Sequence, residues 1–336
     1  MEITRKTPFL ARQGLSDLLD NSFKMMGHTW KTSLLLSLVF FLPLGVLVGW
    51  GTARFLAGLA ALIETGQEPG MAFLLGYLHL LLTMLAASLL LWLAGVFVHT
   101  AVGAHVAAVA GGRTLEPWEA IQLAGRRFYV PSLLQQMVQS ALFTGILTVL
   151  FSAAVPLGAL AAAGRAFLAP GIAGAAAAVL LGAAAVVWLS VLLRFAPQAV
   201  VFDGETVFGS LQASTRLVRG SWWRLLGVSL VVSIVFSFAV GLVTLPFTGV
   251  ALLPLAARLI GLAVGDSFEL ANLAEVFRRS LVGIAVGVGG SAFIQAALEA
   301  FFLPAFFGLF YVDLKVRKGE LAARQPRGPQ AAGKKR

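Results

Sequence analysis

Charge is missing from most of this chain, and it is missing in blocks. Residues 32–50, 72–110, 130–163, 172–195, 225–245 and 281–311 are apolar runs with almost no Asp, Glu, Lys or Arg. A helix needs about 20 apolar residues to cross ~30 Å of hydrocarbon, and each run is close to that length or longer. In lipid the backbone must satisfy its own hydrogen bonds, so these runs can only be helices. The expected fold is all-α: a polytopic bundle of six transmembrane helices. The chain is 59% hydrophobic and 12% charged, against about 25% charged residues for a soluble domain. Three parts are expected: an amphipathic segment over residues 1–31, a membrane domain over 32–312 and a basic tail over 313–336, disordered from residue 322.

The net charge of +10 invites a nucleic-acid reading, but its distribution points elsewhere. Twenty of the twenty-five Lys and Arg residues fall in the segments before the first span, after the second, after the fourth and after the sixth. Only Arg54, Arg165, Arg258, Arg278 and Arg279 fall on the other side. That asymmetry predicts both ends in the cytoplasm. The expected partners are anionic lipid headgroups at the basic face, at about 1 kcal/mol per residue near the surface. A membrane-protein partner or a second copy of the chain stays open, and nucleic acid is not expected. The same count decides the segmentation. Residues 72–110 would make a helix of about 58 Å, long enough for two tight spans. A seventh crossing would put sixteen of the twenty-five basic residues outside, so one long tilted helix is predicted.

The first 31 residues carry scattered charges and no apolar run, so no signal peptide is expected there. Without cysteine, disulfides and thiolate sites are excluded. At each basic entry, apolar residues recur at spacings of three and four: Leu15, Leu18, Leu19 and Phe23; then Trp118 to Phe128; then Phe208, Leu211 and Leu217. These predict amphipathic interfacial helices, with Trp30, Trp118, Trp222 and Trp223 suited to the membrane-interface belt. Three repeats of a surface helix plus a helical hairpin follow as the proposed arrangement. The apolar tract 246–264, interrupted by Pro246 and Pro254, is expected to re-enter the membrane or pack along its surface.

Glu299 is the one acidic residue deep in a span, fourteen positions before Asp313 and so about 21 Å from the helix end. A carboxylate at such depth costs about 2.5–3.5 kcal/mol, so it is either protonated or partnered. Gln295 lies one turn away, Gln135 and Gln139 enter the third span at comparable depth, and Arg194 closes the fourth. Together Glu299, Gln295, Gln139, Gln135 and Arg194 form the candidate polar cluster. They serve either as a cytoplasm-facing cavity for a headgroup, solute or proton, or as neutral interhelical hydrogen bonds. His79, His99 and His105 share one segment at spacings that do not build a helical metal site, so no metal is expected. Ser229, Ser233 and Ser237 align at i, i+4, i+8, and Gly283, Gly287, Gly289 and Gly290 sit in an apolar helix; both sets read as close-packing surfaces. No phosphate loop, nucleophile elbow or zinc helix motif occurs.

Three stretches carry a family resemblance: Gly14-Leu-Ser-Asp-Leu-Leu-Asp-Asn-Ser-Phe23, Ser210-Leu-Gln-Ala-Ser-Thr-Arg-Leu-Val-Arg-Gly-Ser-Trp-Trp-Arg224, and Tyr311-Val-Asp-Leu-Lys-Val-Arg-Lys-Gly-Glu320. In layout the chain resembles the bacterial glycerophosphoryl diester phosphodiesterase membrane-domain family. Asp17, Asp20, Ser214, Arg219, Trp223, Asp313 and Arg317 are the matching positions. A soluble catalytic barrel has no room after the sixth span, so the resemblance implies a membrane module, not a hydrolase. The expected function is therefore non-enzymatic, without a cofactor: an inner-membrane module that binds lipid or a membrane partner. The alternative is a small-solute or lipid transporter that uses Glu299.

Overall fold

The computed structural model describes residues 13–65, 71–162, 165–264 and 270–321. The expected disorder of the tail from residue 322 and the charges before residue 13 lie outside these, as does the side chain of His79. Every regular element among the described residues is helical: α1 (Leu15–Leu36), α2 (Leu42–Thr65), α3 (Met71–Ala110), α4 (Pro117–Leu123), α5 (Tyr129–Ala162), α6 (Arg165–Leu192), α7 (Ala196–Gln198), α8 (Val207–Val218), α9 (Trp222–Val264) and α10 (Leu270–Arg317). Among the described residues six continuous stretches are long and apolar enough to cross a membrane, and each overlaps one of the six expected runs.

Residues 71–110 form one helix, as the charge distribution requires. The three amphipathic stretches are helical too. The first two run on into their spans through short π-helical segments, Ser37–Phe41 after α1 and Ala124–Phe128 after α4. The third, α8, ends at Arg219-Gly220, where the positive φ of Gly220 (86°) turns the chain before α9. α1 starts with Asp17 accepting the Gly14 N–H (3.1 Å), and α4 starts with Pro117 in its first turn and Glu119 accepting the Glu116 N–H (3.1 Å). Both satisfy donors that the first turn of a helix leaves free.

The tract 246–264 does not re-enter: it continues α9 through Pro246 and Pro254. Each proline removes one backbone donor and leaves one carbonyl unpaired. For Pro254 that carbonyl is Val250, and it faces Gly283 of α10, where an added Cβ would lie 2.9 Å from it. Backbone-to-backbone packing thus covers the break. Glycine performs the same task along α10. Gly287 and Gly290 lie against Phe247 of α9, and Gly289 against Gly45 of α2. α10 is the central helix, packed between α2 and α9. Of the serine row of α9, only Ser229 has a buried hydroxyl. Ser233 and Ser237 are exposed, because Val232 and Phe236 take the inner face, with Phe236 stacked on Phe302 at 5.3 Å.

Packing is tightest at one end. Leu18, Met25, Val98, Val102, Val106, Phe195, Phe306, Phe310 and Leu314 are buried there together. Elsewhere the spans present large apolar side chains outward, such as Leu85, Phe151, Leu181, Phe238 and Val282. A surface of that kind needs lipid around it.

Candidate functional site

The packed end is held by two carboxylates, one buried and one largely covered. Asp313, with no exposed side-chain surface, accepts the Gln13 N–H (2.8 Å), Arg224 (3.1 Å) and Arg317 (2.9 Å). The same two guanidiniums donate to the Gln13 carbonyl, so the start of α1, the start of α9 and the end of α10 meet at one point. Asp203 accepts from the Tyr311 hydroxyl (2.6 Å) and from Lys315 (2.8 and 2.6 Å), which ties the segment after α7 to α10. Lys318 donates to the Arg216 and Arg219 carbonyls at the end of α8. Both ends of the described chain therefore lie on the same side of the bundle, as an even number of crossings demands. Each acid has its cations and each carbonyl its donor, so these groups are satisfied and structural.

Ser214 has a comparable role. Between α6 and α7 the helix breaks at Leu193–Phe195, with Pro197 following in the first turn of α7. The Ser214 hydroxyl, from α8, accepts the Phe195 N–H (3.1 Å) and donates to the Leu192 carbonyl (2.7 Å). It thereby replaces helical hydrogen bonds that the break removes. After α7 a π-helical segment, Ala199–Asp203, ends at Gly204 with φ 71°, and Thr206 caps α8.

The break turns Arg194 inward. Its guanidinium lies over the Phe307 ring at 3.9 Å, and its buried Nε has no hydrogen-bond partner. No ion pair to Arg194 occurs among the described residues. Around it opens a cavity of about 480 Å³ between α3, α5, α6 and α10, within the ~300–1,000 Å³ range of ligand pockets. Its lining changes with depth. Near the packed end stand Thr100, Ser132, Gln136, Arg194 and Gln198; farther along the same helices come Trp92, Val96, Phe143 and Leu303. Ser132 Oγ and Gln198 Oε1 are, like Arg194 Nε, buried without a partner. Among the described residues no carboxylate lines the cavity. α5 and α6 pack chiefly on each other and together form one wall of the cavity.

The expected polar cluster divides between two places. Gln139 and Arg194 share the cavity, and buried Gln135 donates to Gln139 Oε1 (2.7 Å), which leaves the Gln139 amide N–H groups free. Glu299 is not in the lining. It accepts from Gln295 (3.1 Å), one turn away on α10. Gln295, Glu299, Leu303 and Phe307 follow one another at four-residue spacing, so the carboxylate sits on the same helix row, one turn beyond the cavity wall. His99 lines the cavity, while buried His105 bonds Thr32 (2.8 Å). Sequence reasoning missed His99, Ser132 and Gln198 as site residues. Only Gln198 carried a signal, as an amide beside a proline at the end of an apolar run.

Residues 106–314 match the family described as Domain of unknown function (DUF7847). That is more than half of the chain, so the chain belongs to this family. The matched stretch holds Arg194, the glutamines of the cavity and both carboxylate anchors, but not the α3 residues Trp92, His99 and Thr100. No curated protein and no solved structure matches.

Proposed function

We propose that this member of the family is a non-enzymatic multi-pass protein of a bacterial cytoplasmic membrane that binds an anionic amphiphile. The headgroup sits against Arg194, the acyl part lies along Trp92, Val96, Phe143 and Leu303, and both termini are cytoplasmic. The threefold arrangement of surface helix and hairpin belongs to the same reading, as does attraction of anionic lipids to the basic face. The observation that carries it is the unpartnered Arg194 at the polar end of a cavity whose other end is apolar. A cation taken out of water without a counter-charge is costly, and an anionic headgroup supplies that charge. Arg stacked on an aromatic ring keeps its edge N–H groups free for a phosphate or carboxylate. Glu299, bonded to Gln295 outside the lining, favours binding over proton-coupled transport.

Phospholipid retained through purification is the test. Charge-assisted hydrogen bonds contribute about 1.5–3 kcal/mol, so Arg194→Gln should lower retention about 10–100-fold. Arg194→Lys, which keeps the charge without the planar fork, should fall between. Retention equal in wild type and Arg194→Gln would refute the proposal.

A further inference from the structure

The cavity's polar groups also specify the kind of headgroup. We infer, resting on the binding role just proposed, that it selects a monoanionic phosphodiester lipid whose headgroup bears hydroxyls over one that bears an ammonium.

The inventory of the wall decides this. Among the described residues, and with His99 in its neutral form, it holds one formal positive charge, Arg194, and no formal negative charge. A phosphodiester brings one negative charge and matches that balance. An ammonium would arrive as a second cation beside Arg194, with no carboxylate to receive it, in a place where like charges are poorly screened. The neutral groups point the same way. Gln198 Oε1 is a buried acceptor without a donor, and Ser132 Oγ a buried hydroxyl without any partner. Thr100 and Ser190 have already spent their protons on the Val96 and Val186 carbonyls, at 2.7 and 2.6 Å, and can only accept. Gln139 offers amide N–H groups, since Gln135 holds its oxygen. The wall thus combines acceptors in want of O–H groups with donors in want of oxygen. A hydroxyl both gives and takes a hydrogen bond. An ammonium only gives, so it would leave the amide donors unmet. A polyol tethered to a phosphodiester satisfies Arg194 with the phosphate and the rest with its hydroxyls.

The experiment is a competition on the full chain. Wild-type protein in detergent is exposed to equimolar phosphatidylglycerol and phosphatidylethanolamine with identical acyl chains, and bound lipid is read by native mass spectrometry. Arg194→Gln and Gln198→Leu are run beside it, with folding checked by size-exclusion chromatography. A third arm adds glycerophosphoglycerol, the same headgroup without chains. Phosphatidylglycerol should be enriched at least tenfold in wild type, Gln198→Leu should reduce that enrichment, and the chain-free headgroup should not displace the lipid. Equal binding of both lipids that still depends on Arg194 would overturn the headgroup inference and leave lipid binding standing. Displacement by glycerophosphoglycerol at equal concentration would overturn a lipid in favour of a soluble phosphodiester. Binding of either lipid that is indifferent to Arg194 would overturn the inference together with the proposed function. The wild-type enrichment is read without any variant, so a variant that fails to fold leaves the comparison of the two lipids intact.

Discussion

Gly45→Ala should destabilise the bundle, while Gly58→Ala on the same helix should not. A Cβ on Gly45 would lie 2.7 Å from the Gly289 carbonyl oxygen and 3.0 Å from Phe293 Cβ, whereas one on Gly58 would meet nothing within 4 Å. The first obstacle is backbone of α10, which cannot rotate away. Ordinary contact begins near 3.4 Å, so α2 and α10 must part by about 0.7 Å locally. A gap of ~0.5–1 Å forfeits a quarter to a half of the dispersion energy of each facing atom pair. Between membrane helices that packing is the main attraction, since lipid is as apolar as the side chains. Overpacking of this kind costs about 1–3 kcal/mol. At Gly58 the added methyl has space, and alanine is the better helix former by up to ~1 kcal/mol. Unfolding would be followed by tryptophan fluorescence as SDS is titrated into non-ionic micelles. A lower midpoint for Gly45→Ala beside an unchanged or higher one for Gly58→Ala is expected. Equal midpoints for the two variants would refute the assignment of α10 as the helix that α2 packs on through its glycines.

Three further outcomes follow from the packed end. Asp313→Asn removes the charge that two guanidiniums share, and because both are about a third exposed the loss should be near 2–3 kcal/mol, below the ~3–5 kcal/mol of a fully buried pair; faster hydrogen exchange over the first turn of α1 should accompany it, and unchanged exchange there would refute the Gln13 anchor. Asp203→Asn removes the carboxylate paired with Lys315, only 7% of whose side chain is exposed, and should cost more in thermal stability than Tyr311→Phe, which loses one hydrogen bond worth about 1.5–3 kcal/mol; the reverse order would count against Asp203–Lys315 as the main tie. In a chain that lacks cysteine, Asp20→Cys and Lys318→Cys should react with an impermeant maleimide only after cells are opened, and Arg258→Cys in intact cells; labelling of Asp20→Cys in intact cells would invert the topology.

The spans were legible because hydrophobic length and charge asymmetry are summed over many residues, and no single contact can reverse them. The continuity of α3 is a case: local hydropathy allowed two crossings, and only the basic residues far along the chain excluded them. The close-packing glycines were legible for a related reason, since a missing side chain in an apolar helix has few uses. Ser233 and Ser237 misled because a serine row and a packing row look alike in sequence, and Phe236 against Phe302 decides which face turns inward. The tract 246–264 misled because a proline's cost depends on what covers the freed carbonyl. Here that cover is Gly283, thirty-three residues after Val250 in the chain.

The polar residues show what a single sequence withholds. Depth in a span singled out Glu299, yet in the fold it has Gln295 as a hydrogen-bond partner and lies off the cavity wall. Asp313 and Ser214 are buried and Asp203 is largely covered, and each has its partners. Arg194, expected as one member of the cluster around Glu299, is instead the unpartnered group of the cavity, because the chain breaks around it and α8 repairs only the backbone. Burial therefore does not separate function from architecture in this bundle, because most buried polar groups are already answered inside the chain. The separating property is an unanswered hydrogen bond beside open volume, which depends on what four different helices bring to one place. On that criterion the wall made by Ser132, Arg194 and Gln198 is where a ligand would contribute what the protein lacks.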